Sequence, residues 1–128
     1  MRLLLDTHTL IWAVDDPSKL GHAAASILED PKNELLLSAG TIWEISIKVG
    51  IGKLSLSLTL RQWLEQAMSE MGLVVLPITV AYSDVQSRLP AHHGDPFDRL
   101  LVAQAQVDGV PLISSDAIFD RYGVSRIW

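Results

Sequence analysis

The segment MRLLLDTHTLIWAV, residues 1–14, runs three leucines directly into Asp6. An unbroken apolar run of this kind is typical of a strand that is buried on both faces, and we predict a short strand over Arg2–Leu5. The carboxylate at its end would lie at the edge of a hydrophobic core. A charge there costs free energy unless it is paired, hydrogen-bonded or bound to a metal. The chemistry of the chain therefore depends on what Asp6 contacts.

The composition indicates a chain that folds around one apolar core. The sequence has 128 residues, of which 48% are hydrophobic and 20% are charged, so we expect one domain over residues 1–128. The absence of cysteine excludes disulfides, thiolate catalysis and cysteine-ligated zinc. Neither a signal peptide nor an apolar run of membrane length is visible, so we expect a cytoplasmic protein that does not contact a membrane.

The net charge of −5 argues against a broad basic surface for nucleic acid. It does not exclude an enzyme that acts on nucleic acid. An acidic pocket filled with divalent cations presents positive charge to a phosphate.

Short apolar strands alternate with amphipathic helices along the whole chain. We predict strands at Arg2–Leu5, Glu34–Leu37, Leu73–Leu76 and Pro111–Ser114, with a final edge strand over Val124–Trp128. We predict helices at Thr9–Val14, Leu20–Asp30, Thr41–Val49, Thr59–Met71, Val80–Leu89, Pro96–Asp108 and Ala117–Tyr122. Leu54–Leu58 alternates in polarity and is either a minor strand or an extended approach to the next helix. This order is typical of an α/β fold with a parallel sheet that helices cover on both sides.

Four acidic residues fall near the ends of the predicted strands, where open parallel sheets bind their ligands. Asp6 follows the first strand, Glu44 lies in the helix after the second, and Asp116 follows the fourth. Asp98 lies in the first turn of the helix that leads into the fourth strand. That helix begins at the carboxyl edge of the sheet, so Asp98 lies at the same edge as the other three. Four carboxylates in one place need counter-cations, and Mg²⁺ or Mn²⁺ prefer oxygen ligands. The sequence therefore predicts a metal site at this edge.

Each of these residues also has a structural explanation. Asp95 precedes Pro96, a combination typical of a helix start, so Asp95 is predicted to cap the helix. Asp98 in the first turn would complement the helix dipole. Glu44 could be solvated and Asp116 could cap the last helix. The prediction of a site rests on the four carboxylates together.

Polar neighbours of these carboxylates carry two interpretations each. We expect Thr7, Ser38 and Ser115 either to assist the site or to cap a helix, and Asp95 to be an auxiliary candidate. Three basic residues either meet phosphates or are ordinary solvated charges: Lys48, Lys53 and Arg99. The loop histidines His92 and His93 are interpreted as a pair within the loop, with metal binding as the alternative. Three tryptophans are interpreted as core or interface residues: Trp12, Trp43 and Trp63.

Four segments in order resemble the PIN-domain ribonucleases, and more closely the VapC-type toxins of prokaryotic toxin–antitoxin pairs. They are LLLDTHTLIWAV (residues 3–14), SAGTIWEISIKVGIGKL (38–54), DPFDRLLVAQAQVDGVPLISSD (95–116) and FDRYGV (119–124). The resemblance covers nearly the whole chain. It implies a three-layer α/β/α sandwich around a parallel sheet of four or five strands.

The resemblance also implies a function. It suggests a metal-dependent endoribonuclease whose catalytic and metal-binding carboxylates are Asp6, Glu44, Asp98 and Asp116, with Mg²⁺ or Mn²⁺ as cofactor. Thr7 matches a hydroxyl position that follows the first aspartate in such proteins. The resemblance further implies a homodimer, an RNA substrate and a cognate antitoxin that covers the acidic site.

Two other functions compete with this one. A strand that ends on aspartate also begins phosphatase-like and receiver-like folds, but His8 stands where their second aspartate is expected. A PIN-like module that binds RNA or protein without cutting is the other alternative. A chelator separates the two PIN hypotheses, because it abolishes cleavage but leaves simple binding intact.

Overall fold

Five short parallel strands form one sheet in the computed structural model, which describes residues 1–128. In chain order they are β1 (Arg2–Leu5), β2 (Glu34–Ser38), β3 (Val74–Leu76), β4 (Leu112–Ile113) and β5 (Arg126–Ile127). Their spatial order is β3-β2-β1-β4-β5, and every pairing is parallel. The carboxyl ends of all five strands therefore meet at one edge, with β1 at the centre.

Six α-helices cover the sheet. They are α1 (Thr7–Asp15), α2 (His22–Glu29), α3 (Ala39–Gly50), α4 (Leu60–Met71), α5 (Val80–Ser87) and α6 (Pro96–Asp108). Two 3₁₀ helices, Pro17–Lys19 and Ala117–Tyr122, complete the connections. None of the helices has both the length and the apolar composition that a membrane crossing requires.

The sheet separates two hydrophobic cores. Along β1, Leu3 and Leu5 point into one core with Trp63 of α4, whereas Leu4 points into the other with Leu101 of α6. Successive side chains of a strand point to opposite faces, so a strand that is apolar throughout must be covered on both. This arrangement confirms the predicted α/β fold class and the three-layer α/β/α sandwich around a five-stranded parallel sheet.

Element boundaries differ from the predictions where side chains cap the helices. Helix α1 begins at Thr7, two residues earlier than predicted, because Asp6 Oδ1 accepts a hydrogen bond from the Thr9 amide at 2.7 Å. Helix α3 begins at Ala39 because the Ser38 hydroxyl accepts from the Gly40 amide at 3.1 Å. Both caps lie at the carboxyl edge of the sheet.

Residues 54–58 form an extended loop and not a strand. The loop is fixed through Asp15, whose carboxylate accepts hydrogen bonds from the Ser57 amide and hydroxyl. The indole N–H of Trp63 donates to the same carboxylate at 3.0 Å. Of the two predicted alternatives, the extended approach to the next helix is therefore the one that the structure shows, and side-chain bonds to α1 hold it in place.

The tryptophans of the helices divide between core and surface. Trp63 is fully buried, Trp12 is half-buried, and Trp43 is 60% exposed on α3. Trp63 therefore has the core position that was one of the two predictions, whereas Trp43 lies on the surface.

Helices α3 and α6 approach each other closely at Gly40. A Cβ atom at this position would overlap Cδ2 of Leu100, a side chain that is itself buried. A side chain at position 40 would therefore require Leu100 to change its conformation or the two helices to move apart.

We expect Leu4→Ala to lower the free energy of unfolding by about 2–5 kcal/mol, because it opens a cavity in a fully buried position of the central strand. Urea unfolding of the metal-free protein measures the loss. Val80→Ala is the matched control, since Val80 is 87% exposed and its truncation should change stability by about 0.5 kcal/mol or less. Similar losses for both variants would contradict the assignment of Leu4 to the core.

Candidate active site

Asp6 lies at the carboxyl end of the central strand and is only 5% exposed. Its Oδ1 accepts from the Thr9 amide, and its Oδ2 accepts from the hydroxyl of Ser114, which is fully buried at the end of β4. Both partners are donors, so both stabilise the charged carboxylate. Asp6 is therefore held at the edge of the sheet by two fixed hydrogen bonds.

Ser114 connects Asp6 to Asp116. Its hydroxyl donates to Asp6 and accepts from the Asp116 amide at 3.0 Å. The Asp116 carboxylate itself accepts from the Ile118 amide at 3.0 Å and caps the 3₁₀ helix that follows. Asp116 therefore has the capping role that its position before this helix allows, and it is exposed beside Asp6.

Glu44 is the second buried carboxylate, at 5% exposure, and it extends from α3. The Thr7 hydroxyl donates to its Oε1 at 2.5 Å, and Nζ of Lys48 donates to its Oε2 at 2.6 Å. Thr7 is the residue after Asp6, so this bond joins the two carboxylates through adjacent residues. Lys48 stands one helical turn after Glu44 and supplies a cation within the chain itself.

Asp98 lies in the first turn of α6 and is largely withdrawn from water. The pKa of its carboxyl is raised to about 6, chiefly by burial and also by the nearby charges of Asp95 and Glu44, while His93 opposes the rise. The influence of Glu44 places Asp98 and Glu44 in one electrostatic cluster. A carboxylate whose charged form is disfavoured by burial and by neighbouring negative charges is stabilised by a cation that approaches it.

His93 contacts Asp98 through a defined ring orientation. Its Nδ1 lies 2.7 Å from the Tyr122 hydroxyl and its Nε2 lies 3.2 Å from Asp98 Oδ2. Arg99 already donates to the Tyr122 hydroxyl at 3.2 Å, so that O–H is free to donate to Nδ1. The proton of a neutral His93 then lies on Nε2 and faces Asp98.

The remaining polar candidates have structural contacts. Asp95 caps α6 by accepting from the amides of Phe97 and Asp98 at 2.9 and 3.0 Å. Ser38 is buried and caps α3, whereas Ser115 is exposed. Arg99 donates to the carbonyl oxygen of Pro90 at 2.8 Å and binds the loop before α6 rather than facing the site.

Three residues of the site were missed or assigned otherwise from sequence. Ser114, and not Ser115, donates to Asp6. The sequence contains a signal for this contact, because Ser114 directly follows an apolar strand in which the alternation of side chains points it inward. Lys48 pairs with Glu44, as its spacing of four residues on a helix allows. The contact of His93 with Asp98 comes from the fold of the loop and has no local sequence signal.

The donor set fits a divalent cation bound through water. No three Asp, Glu or His side chains of the structure are arranged to hold one ion directly. Mg²⁺, however, commonly retains several waters and uses one or two carboxylates together with substrate phosphates. The buried carboxylate oxygens of Asp6 and Glu44, with Asp98 beside them, supply the hard donors that this mode needs.

Comparison with known proteins identifies the family. The model of the PIN domain matches residues 3–125. The chain belongs to the PIN-domain family. A curated PIN relative, Ribonuclease VapC22 from Mycobacterium tuberculosis, is 30% identical over 115 residues, which cover 89% of this chain and 86% of that protein. This relative confirms the predicted membership among VapC-type PIN proteins.

Solved structures share the PIN fold. VapBC2 from Rickettsia felis, bound to a DNA fragment from its promoter, aligns with a TM-score of 0.76 at 15% identity, covering 99% of this chain and 98% of the other. DNA-bound VapBC from Salmonella typhimurium aligns with a TM-score of 0.69 at 20% identity, covering 100% and 97%. At these identities the likeness shows the fold.

We expect Asp98→Asn to stabilise the metal-free protein at neutral and alkaline pH. The pKa of Asp98 is about 6 in the folded chain against 3.8 as its ordinary value, so folding favours the protonated form. Its contribution to stability is full below about pH 4 and is lost as the pH rises through 6. One pKa unit is about 1.4 kcal/mol, and partial exposure reduces the effect, so the gain should be about 1–2 kcal/mol near pH 8.

Urea unfolding in EDTA, near pH 4 and near pH 8, measures this gain. Asp84→Asn on α5 is the control, since Asp84 is exposed and pairs with Arg88 at the surface. Equal stability of wild type and Asp98→Asn near pH 8 would show that folding does not disfavour the charged form of Asp98.

Proposed function

We propose that this chain is a metal-dependent endoribonuclease, the toxin of a toxin–antitoxin pair, and that it acts as one PIN domain over residues 1–128. The observation that carries the proposal is the pair of buried carboxylates, Asp6 and Glu44, which donors of the chain hold at the carboxyl edge of the sheet. A relative that is 30% identical is named a ribonuclease. Because the proposed substrate is RNA, the proposed site of action is the cytoplasm.

The residues proposed to hold Mg²⁺ or Mn²⁺ are Asp6, Glu44, Asp98 and Asp116. Such an ion, when bound, polarises a phosphate oxygen and lowers the pKa of bound water, which is the chemistry that phosphodiester hydrolysis needs. Either Glu44 or Asp116 then orients the attacking water. Asp6 is central in this arrangement because the elements that carry the other three surround it.

Polar neighbours position these carboxylates. Thr7 fixes the rotamer of Glu44, Ser114 fixes that of Asp6, and His93 contacts Asp98 from the loop before α6. Partners of this kind orient metal-binding side chains, and their loss commonly lowers metal affinity or activity by about 10- to 100-fold. Asp95 and Ser38 assist by fixing the helices that carry Asp98 and Glu44.

An exposed apolar stripe on α3 supports the proposed protein partners. Trp43 and Ile47 of α3, and Ile51 at its C-cap, follow one another at intervals of four residues and are 60%, 38% and 61% exposed. Side chains at this interval lie on one helix face. The stripe begins beside Glu44, so a cognate antitoxin or the second chain of a homodimer that covered it would lie next to the site. The similar solved structures are VapBC complexes.

One observation favours the alternative of a PIN module that binds without cutting. Lys48 already neutralises Glu44 at 2.6 Å, so one buried carboxylate has a cation without any metal. In a nuclease the Lys48 ammonium must move away from Glu44 when the metal binds, or it must contact the substrate phosphate instead. Metal dependence of cleavage decides between the two functions.

We expect purified, antitoxin-free protein to cut a mixed cellular RNA pool into discrete fragments with Mg²⁺ or Mn²⁺ and to give none with EDTA. Asp6→Asn and Asp98→Asn should abolish the fragments, because each removes a charged donor from the proposed metal site. Gel electrophoresis or fragment sequencing measures the result. Asp84→Asn, which alters an exposed carboxylate on α5, is the matched control and should cut like wild type.

Identical fragments from wild type and both site variants would identify the activity as contamination. RNA binding that survives EDTA, without any cleavage of the pool, would favour the non-catalytic module.

We expect Thr7→Val to lower kcat about 10- to 100-fold and to lower the free energy of unfolding by about 1–3 kcal/mol, because the buried Glu44 carboxylate loses a donor. Valine keeps the shape of threonine but removes the hydroxyl that donates to Glu44 at 2.5 Å. Thr7→Ser restores the donor and should restore most of the activity. Steady-state cleavage at saturating metal measures kcat, and thermal unfolding confirms that the variants fold. A Thr7→Val protein with full activity would show that Glu44 needs no such support.

A further inference from the structure

A cleft opens between α1 and the loop after α3, with a volume of about 500 Å³. We call it the α1 cleft. Its lining includes Thr7, His8, Trp12, Lys19, Lys48 and Lys53. Its volume suits a nucleotide unit rather than a single ion.

The α1 cleft is continuous with the carboxylate site. Thr7 and Lys48 line it, and both bind Glu44, at 2.5 and 2.6 Å. A polymer whose phosphate lies at the carboxylates therefore has the cleft immediately beside it.

The cleft concentrates the lysines of an acidic chain. The sequence has four lysines and a net charge of −5, and three of those lysines line this one cavity. Lys53 is exposed and makes no ion pair, and its backbone amide donates to the Lys48 carbonyl at 2.9 Å, which fixes the base of its side chain. Lys19 is 59% exposed and its nearest carboxylate, Asp16, is 3.6 Å away, a pairing that water weakens.

The acidic residues of the cleft are already bonded elsewhere. Asp15 accepts from Ser57 and from the indole of Trp63, which points its oxygens toward the loop. Asp16 accepts from Ser18 at 2.6 Å. Lys53 therefore faces the cavity without a carboxylate in contact, whereas Lys48 is paired with Glu44 where the cleft meets the carboxylate site.

Aromatic rings line the same cavity. The imidazole of His8 is exposed, and its centroid lies 5.5 Å from that of Trp12. Exposed aromatic faces beside a row of basic side chains are the features by which proteins bind single-stranded nucleic acid, through stacked bases and a neutralised backbone.

We propose that the α1 cleft is the binding subsite for the single-stranded RNA that flanks the cleaved bond. Lys19 and Lys53 contact backbone phosphates, and the His8 ring stacks on a base. The inference rests on the proposed ribonuclease function and explains how a chain of net charge −5 retains a polyanion next to its carboxylates.

The experiment measures binding of fluorescein-labelled oligouridine by anisotropy over a range of KCl concentrations in EDTA, with Asp98→Asn as the background to prevent cleavage. For single strands, log K falls with log salt by about 0.7 for each phosphate neutralised. Lys19→Gln and Lys53→Gln should each reduce the slope by about 0.7, and the double variant by about 1.4. Lys53→Arg should keep the slope.

Lys32→Gln is the matched control, since it removes the same charge from the turn before β2, at the opposite edge of the sheet. Its slope should equal that of the background protein. His8→Ala should lower affinity roughly tenfold without changing the slope, because stacking is not electrostatic.

Equal slopes for the Lys19, Lys53 and Lys32 variants would overturn the subsite, and if wild type still cuts the RNA pool the proposed function stands. Unchanged slopes together with weaker retention of the cognate antitoxin would assign the cleft to the antitoxin instead. A wild type that neither binds nor cuts RNA would overturn the proposed function, and the subsite with it.

Discussion

The structure depends on a carboxylate at the end of its central strand. Asp6 leaves an apolar strand that is covered on both faces, and it is stabilised there by the Thr9 amide and the Ser114 hydroxyl. The first bond begins α1 and the second joins β1 to the end of β4. One side chain thus starts a helix, fixes the neighbouring strand end and presents its charge to the edge of the sheet. The same bonds that make Asp6 tolerable in the fold also fix the direction in which its carboxylate faces.

The sequence determines much of this arrangement because the strands are apolar throughout and the helices carry clear end signals. Helix α6 occupies Pro96–Asp108 as predicted, since Asp95 caps it, Pro96 begins it and Gly109 ends it. The parallel sheet follows from strands that are buried on both faces and separated by helices. Asp6 was identifiable for the same reason, as a charge that directly follows such a strand.

Other features could not be predicted because they arise from contacts distant in sequence. The alternation of Leu54–Leu58 is compatible with a strand and with an extended approach to α4, and the hydrogen bonds that Asp15 accepts from Ser57 hold it in the extended approach. His93 reaches Asp98 because Tyr122, which is 29 residues away in the chain, fixes its ring. A local pattern contains neither contact. The roles of the four carboxylates themselves remain the proposal that the cleavage and unfolding experiments address.

Gly40 has a consequence beyond the packing of two helices. Glu44 and Asp98 extend from α3 and α6, and the spacing of those helices is set where Gly40 meets Leu100. A side chain at position 40 that Leu100 did not make room for would move one carboxylate relative to the other without altering either. The relative placement of two of the proposed metal ligands therefore depends partly on a residue that has no side chain. In evolutionary terms, such a position can tune an enzyme while every residue of its active site stays the same.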